Sequence, residues 1–201
     1  MDQFDASQEN VQSGSNAKST IDPSHMPSHS VCHTTPKVVL VGPPGAGKST
    51  IGRRLASATN LPLIDSDDLL AKGVKMPTGE YFSLVGEEKF REAERDYVSQ
   101  ALHTGGIVAL GGGAVLTDEV RDMLQGHTVV WIDVSPEEGI RRTSRDNSRP
   151  VLAAQDPEAH YRALLEAREP FYREVADYRV RTDERPPQRV VAEILAIIDA
   201  D

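Results

Sequence analysis

From Lys37 onward, short β-branched runs alternate with longer stretches whose apolar residues recur at helical spacing. KVVLVG, residues 37–42, reads as a strand, and its unbroken apolar character suits a strand covered on both faces. A helix from about Lys48 to Ala58 follows, then LPLID as a second strand. From Asp67 to His103 the pattern is helical, interrupted around Lys72 to Gly79 where Gly, Pro and Thr accumulate. Within it, EEKFREAERDYVSQALH places Phe90, Ala93, Tyr97, Val98 and Leu102 near helical spacing and marks an amphipathic helix. GGIVALGGG is a third strand, Asp118 to Leu124 a short helix and HTVVWIDV a fourth strand. SPEEGIRRTS is a helix with Ser135 as N-cap and Pro136 at its first position. A helix from about Pro157 to Ala176, a last strand near Tyr178 to Arg181 and the helix PQRVVAEILAIIDA complete the pattern. Strands alternating with helices predict a parallel sheet covered on both faces, an α/β three-layer sandwich with right-handed crossovers.

The residues before Lys37 change this picture only by subtraction. From Met1 to about Pro36 the chain is Ser, Gln, Asn, Asp, His and Pro with few large apolar side chains, too few to offset chain entropy, so residues 1–36 are expected to be a disordered tail. His25, His29, Cys32 and His33 in it are able to bind a metal opportunistically, but a designed site is not expected, since such sites usually come on ordered backbone with outer-sphere partners. A chain of 201 residues with 38% hydrophobic content supports one substantial core, here residues 37–201. The formal net charge of −9 and pI of 5.2 give no basic field to attract nucleic acid or an anionic membrane. One cysteine excludes an intrachain disulfide, which favours a reducing, cytoplasmic compartment. No apolar run reaches the roughly 18–20 residues of a membrane span, and MDQFDASQEN lacks the pattern of a signal peptide.

The chemistry starts at Gly42-Pro43-Pro44-Gly45-Ala46-Gly47-Lys48-Ser49, which satisfies G-x-x-x-x-G-K-[ST] between a predicted strand and a predicted helix. Its glycines allow a tight turn with inward-facing N–H groups, and the helix behind adds the positive end of its dipole, so the loop suits a polyphosphate. Gly45, Ala46, Gly47, Lys48, Ser49 and Thr50 are the candidate nucleotide contacts, with Lys48 reaching the β/γ-phosphates and Ser49 a ligand for Mg²⁺.

A phosphate loop does not name its acceptor. The second strand ends in LIDSDD, which puts Asp65 and Asp67 at the carboxyl end of a strand, where parallel sheets bind ligands. Asp65 is a candidate for a Mg²⁺-bound water, and Asp67 for substrate hydroxyls and the proton released on phosphoryl transfer. The alternative is that Asp67 or Ser66 caps the next helix. Gly111, Gly112 and Gly113 follow the third strand and let a ligand approach the backbone. Arg91 and Arg168 lie in helical segments rich in Glu; each is either one half of a surface i,i+4 pair or a planar fork for a carboxylate. Trp131, Tyr161, Phe171 and Tyr172 read as packing residues.

Taken in order, the phosphate loop, LIDSD, FREAE, LGGGAV, RPVL and EAREPFY resemble the shikimate kinase family from about Lys37 to the C-terminus. The resemblance implies a P-loop fold of the nucleoside-monophosphate-kinase type with a five-stranded parallel sheet in order 2-3-1-4-5. It implies ATP-dependent phosphorylation of the 3-hydroxyl of shikimate, a step toward chorismate and the aromatic amino acids, by a monomer using ATP and Mg²⁺. By position, Lys48, Asp67 and Arg149 correspond to the catalytic groups; Arg91, Arg168 and Gly112 to the shikimate site; Arg142, Arg185 and Pro187 to the adenine site; and Ser49 and Asp65 to the metal site. Arg149 falls in a polar stretch, about 145–156, that suits a lid. Two departures stand out: Ala109-Leu110 where many relatives carry Ser or Thr before the glycine triplet, and GVKMPTGEYFSLVG in place of the commonest pattern ahead of Arg91.

Overall fold

The computed structural model describes residues 35–144 and 156–200. All but the last two residues of the predicted tail, with its His25, His29, Cys32 and His33, lie outside this range, as do Arg149 and the proposed lid apart from Asp156.

Five strands form one parallel sheet: β1 (Val38–Val41), β2 (Leu63–Asp65), β3 (Ile107–Ala109), β4 (Val129–Asp133) and β5 (Tyr178–Arg181). Their order is β2-β3-β1-β4-β5, as the resemblance implies. Helices α1 (Lys48–Thr59), α2 (Ser66–Val74), α3 (Thr78–Val85), α4 (Glu87–Leu102), α5 (Asp118–Leu124), α6 (Pro136–Thr143), α7 (Pro157–Val175) and α8 (Pro187–Ala200) accompany them. A 3-10 turn covers Ala114–Leu116. The predicted helical region is broken twice, at Lys75–Pro77 and again at Gly86, whose φ of +81° no side chain readily adopts.

The central strand β1 is buried along its whole length, and its alternate residues serve different cores because successive side chains leave opposite faces of a sheet. Val38 and Leu40 join Ile51 and Leu55 of α1 and Val190, Ile194 and Ile198 of α8. Val39 and Val41 join Val98 and Leu102 of α4, Val120 and Leu124 of α5 and Tyr172 of α7. Trp131 is buried in this second core, stacked on Tyr172 with ring centroids 5.8 Å apart, which bears out its reading as a packing residue. Strand β5, at the edge, exposes Tyr178, Arg179 and Arg181, and its arginines pair with Asp133 of β4; charge at an edge strand discourages further pairing. Lys37 donates to Ile198 O at 3.0 Å and ties the start of β1 to the last turn of α8. No helix among the described residues is long and apolar enough to cross a membrane.

Leu55 is fully buried between α1 and the sheet. Leu55→Ala should lower the unfolding free energy by about 2–5 kcal/mol, read from the midpoint of a urea titration, with an unchanged slope.

Candidate active site

The strand order places β2, β3 and β1 side by side, so the loops leaving their carboxyl ends share one edge of the sheet. The loop after β1 carries Gly42–Ser49, the junction after β2 carries Asp65 and Asp67, and the turn after β3 carries Gly111–Gly113.

In the first loop, Gly45 and Gly47 take positive φ of +77° and +96°. Gly47 is the N-cap of α1 and makes no side-chain cap, so no capping side chain competes for the N–H groups of the first turn. The carbonyls of the loop accept from side chains. Lys48 Nζ, largely buried, donates to Gly42 O at 2.7 Å and Pro43 O at 3.1 Å. Tyr161 Oη donates to Pro44 O at 2.6 Å. Arg142 Nη1 donates to Gly45 O at 3.2 Å, and Thr182 Oγ1 to Ala46 O at 3.2 Å.

Asp65 does two things at once. One carboxylate oxygen accepts from Asp67 N at 3.0 Å and caps α2, and the other accepts from Ser49 Oγ at 2.9 Å. The cap is therefore Asp65, not Asp67 or Ser66: the chain leaves β2 with Asp65 still extended (φ −101°, ψ 121°), the backbone that an N-cap requires. Ser66 turns instead to the glycine triplet and accepts from Gly111 N at 3.0 Å. A cavity of about 270 Å³ is lined by Lys48, Ser49, Thr50, Asp65, Asp67 and Leu110. Its hydroxyl and carboxylate oxygens suit a hard cation such as Mg²⁺, which takes few protein ligands and completes its shell with water and phosphate. Among the described residues no group of three or more His, Cys, Asp or Glu side chains is placed to hold a metal by itself. Leu110, in place of a hydroxyl, gives this cavity an apolar wall.

The glycine triplet is the meeting point of four charges. A Cβ on Gly111 would lie 2.4 Å from Asp67 Oδ1 and 3.1 Å from Glu94 Oε1; one on Gly113 would lie 2.7 Å from Arg91 Nη1. Gly112 O accepts from Arg168 Nη1 at 3.0 Å and from Tyr172 Oη at 2.5 Å. Any side chain on Gly111 or Gly113 would displace a charged group. Arg91 makes helix pairs, the first of its two sequence readings: with exposed Glu87 one turn back at 3.5 Å and with buried Glu94 at 2.6 Å. Tyr81 and Phe82 of α3 pack against Phe90 beside it, so the departing GVKMPTGEYFSLVG segment still builds an aromatic wall there.

Glu94 closes the FREAE stretch, but the motif gives it no role of its own. Burial pushes its carboxyl above the ordinary value, opposed by the charge and hydrogen bond of Arg91, and Asp67 raises it further. Its signal in the sequence is position: Glu94 lies four residues after Phe90 and four before Val98, inside the apolar stripe, where a carboxylate requires a cationic partner.

On the other side of the phosphate loop, a cavity of about 610 Å³ is lined by Gly47, Ile51, Arg142, Thr182, Arg185 and Pro187, among others. Arg142 is held by Glu138 at 2.6 Å and by Thr182 Oγ1 and O, both at 3.0 Å. Hydrogen bonds from Arg141 and Arg142 hold the Glu138 carboxyl down to about 2, so it stays charged. Arg185 donates to Arg181 O and pairs with Glu193 of α8. The size and mixed lining suit a nucleobase. The structure thus gathers every candidate within the described residues into two adjoining cavities and the triplet beside them.

A Walker-type loop at the centre of a five-stranded parallel sheet, with a carboxylate pair beside it and two arginines at the neighbouring glycine triplet, defines a P-loop small-molecule kinase. The family profile for shikimate kinase matches residues 44–199, and the chain belongs to the shikimate kinase family. Shikimate kinase from Corynebacterium efficiens is 59% identical over 166 residues, covering 83% of this chain and 98% of that protein. Shikimate kinase from Corynebacterium glutamicum is 56% identical over the same length, with the same coverage. Among solved structures, shikimate kinase from Acinetobacter baumannii in complex with shikimate superposes with a TM-score of 0.78 at 34% identity, covering 83% of this chain and 94% of that one. The chain is accordingly a kinase that uses ATP and acts on a small molecule.

The raised Glu94 carboxyl has a measurable consequence. Its contribution to stability is present below the ordinary value of 4.5 and is lost as pH rises through the higher folded value. Wild type should therefore lose stability relative to Glu94→Gln as pH rises from 4.5, levelling off once Glu94 is ionised. Thermal midpoints of both proteins across that window provide the test, and a flat difference would contradict the raised value.

Proposed function

We propose that this protein transfers the γ-phosphoryl group of ATP to the 3-hydroxyl of shikimate, giving shikimate 3-phosphate and ADP, in residues 37–201. The observation that carries this reading is the pair of arginines at the glycine triplet, Arg91 and Arg168, beside Asp67 and within reach of the phosphate loop. A planar guanidinium pair selects a carboxylate, and the adjacent carboxylate selects hydroxyls. A hydroxy acid satisfies both at once.

The nucleobase takes the cavity between Arg142 and Pro187, and the phosphates follow the loop to Lys48. Lys48 is already held at the loop by two carbonyls and delivers its charge to the β/γ-phosphates with little reorganisation. Ser49 and Asp65 are the residues that would hold Mg²⁺, which supplies charge neutralisation between the phosphates when bound. Arg91 and Arg168 fix the acceptor's carboxylate, and Asp67 orients its hydroxyl and takes up the proton as the oxygen attacks phosphorus. Arg149, outside the described residues, is assigned to the phosphates by its correspondence with the family. A monomer in the cytoplasm, with no nucleic-acid or membrane partner, completes the reading.

ADP release measured with ATP, Mg²⁺ and a panel of shikimate, gluconate, nucleoside monophosphates or no acceptor tests it directly. Turnover is expected with shikimate alone; turnover with gluconate in its place would sink the assignment. Arg168→Ala should raise the shikimate KM by about ten- to a hundredfold, as expected for a lost charge-assisted bond, whereas Lys48→Ala should act mainly on kcat. Asp67→Asn should retain nucleotide binding and lose about a hundredfold or more in kcat, the range typical of a general base. A variant at position 67 with full turnover would remove that residue from the chemistry.

A further inference from the structure

Tyr161 has no role in the account above beyond its bond to Pro44 O, yet its placement is specific. The ring is fully buried in the early part of α7, and its hydroxyl reaches across 117 positions of sequence to the phosphate loop. The neighbouring helix makes room for it: a Cβ on Gly139 of α6 would lie 2.1 Å from that hydroxyl. Burial raises the phenol well above its ordinary range, so it remains a donor at any working pH. Among the described residues, Tyr161 is the donor to Pro44 O, while the other loop carbonyls are held by Lys48, Arg142 and Thr182.

The carbonyl of Pro44 belongs to the same planar unit as the N–H of Gly45. In a trans peptide these two groups point in opposite directions. A bond that holds the carbonyl toward α7 therefore turns the Gly45 N–H away from α7. Gly45 is the residue that could otherwise let this unit turn over, because its φ of +77° and missing side chain leave it free to rotate. Pro43 and Pro44 offer no N–H of their own, which makes Gly45 the first donor after Gly42 that the loop can present to an anion.

We infer that Tyr161 is a positioning residue for the phosphoryl donor: its hydroxyl fixes the Pro44–Gly45 peptide and so aims the Gly45 N–H at the nucleotide's phosphates. The inference rests on the proposed function for the loop as donor site, and it is independent of which molecule accepts the phosphate. Tyr172, whose hydroxyl holds Gly112 O, is the matching control from the same helix on the acceptor side.

The test is Tyr161→Phe, which keeps the ring and removes the hydroxyl, beside Tyr172→Phe. Calorimetric titration with Mg²⁺ and ADP, without any acceptor, reads the donor site; steady-state KM values for ATP and shikimate read both sites; thermal unfolding checks that each variant folds. Tyr161→Phe should bind ADP about five- to tenfold more weakly and raise the ATP KM in step, with the shikimate KM unchanged, as expected for one buried carbonyl left without its donor. Tyr172→Phe should leave ADP affinity unchanged. Wild-type ADP affinity in folded Tyr161→Phe overturns the inference, as does an equal loss in both variants or a parallel rise in both KM values. Should wild type fail to phosphorylate shikimate, the ADP titration still decides the role of Tyr161, so the two readings fail separately.

Discussion

A backbone that offers its N–H groups to an anion has to place its carbonyls elsewhere, and this constraint organises the structure around the phosphate loop. Unpaired buried carbonyls are costly, and carbonyls pointing inward would repel phosphate. From Gly42 to Ala46 every carbonyl accepts from a side chain: Gly42 O and Pro43 O from Lys48 of α1, and the next three from elsewhere in the chain, Pro44 O from Tyr161 of α7, Gly45 O from Arg142 of α6 and Ala46 O from Thr182 after β5. The loop keeps its shape because the rest of the domain holds it from behind. Arg142 and Thr182 also border the larger cavity, so the groups that shape the phosphate cradle are the ones a nucleobase would meet.

The glycine triplet follows a different logic, that of charge balance at close quarters. Two carboxylates and two guanidinium groups converge on three residues that have no side chains, and the absence of Cβ atoms lets them come so near the backbone. Asp67 opposes the ionisation of Glu94, while Arg91 and Arg168 favour it. A buried cluster of this kind stabilises a fold only when its members are paired, and removing one member leaves another exposed to the full cost of burial. The geometry around the glycine triplet is thus maintained by its own ionic neighbours, with buried Glu94 holding Arg91.

Much of this was legible in the sequence, for identifiable reasons. The extents of α5 and β5 and the Ser135 cap of α6 came directly from local pattern, because each depends on neighbours a few residues away. The phosphate loop was legible because its function needs particular residues at fixed spacing. The strand order was available only through resemblance to a family, since nothing local dictates that β3 should sit between β2 and β1. The break at Gly86 was hidden inside a continuous helical periodicity, and the capping role of Asp65 depends on where extended backbone gives way to helix. Tyr161 and Tyr172 are packing residues, as the local pattern indicates, but their hydroxyls act on carbonyls 117 and 60 positions away. Distances of that kind exist only after folding.

Helix α7 also works as a ruler. Tyr161, Arg168 and Tyr172 are spaced by seven and four residues, which at 3.6 residues per turn keeps all three on one stripe. One end of the stripe holds the phosphate loop and the other holds the glycine triplet. Inserting or deleting one residue between positions 161 and 172 would swing one anchor about 100° around the axis relative to the other, a rotation set by the helical repeat itself. The phosphate loop and the glycine triplet could then not both be held by this helix, so length variation that keeps both bonds is confined to its ends.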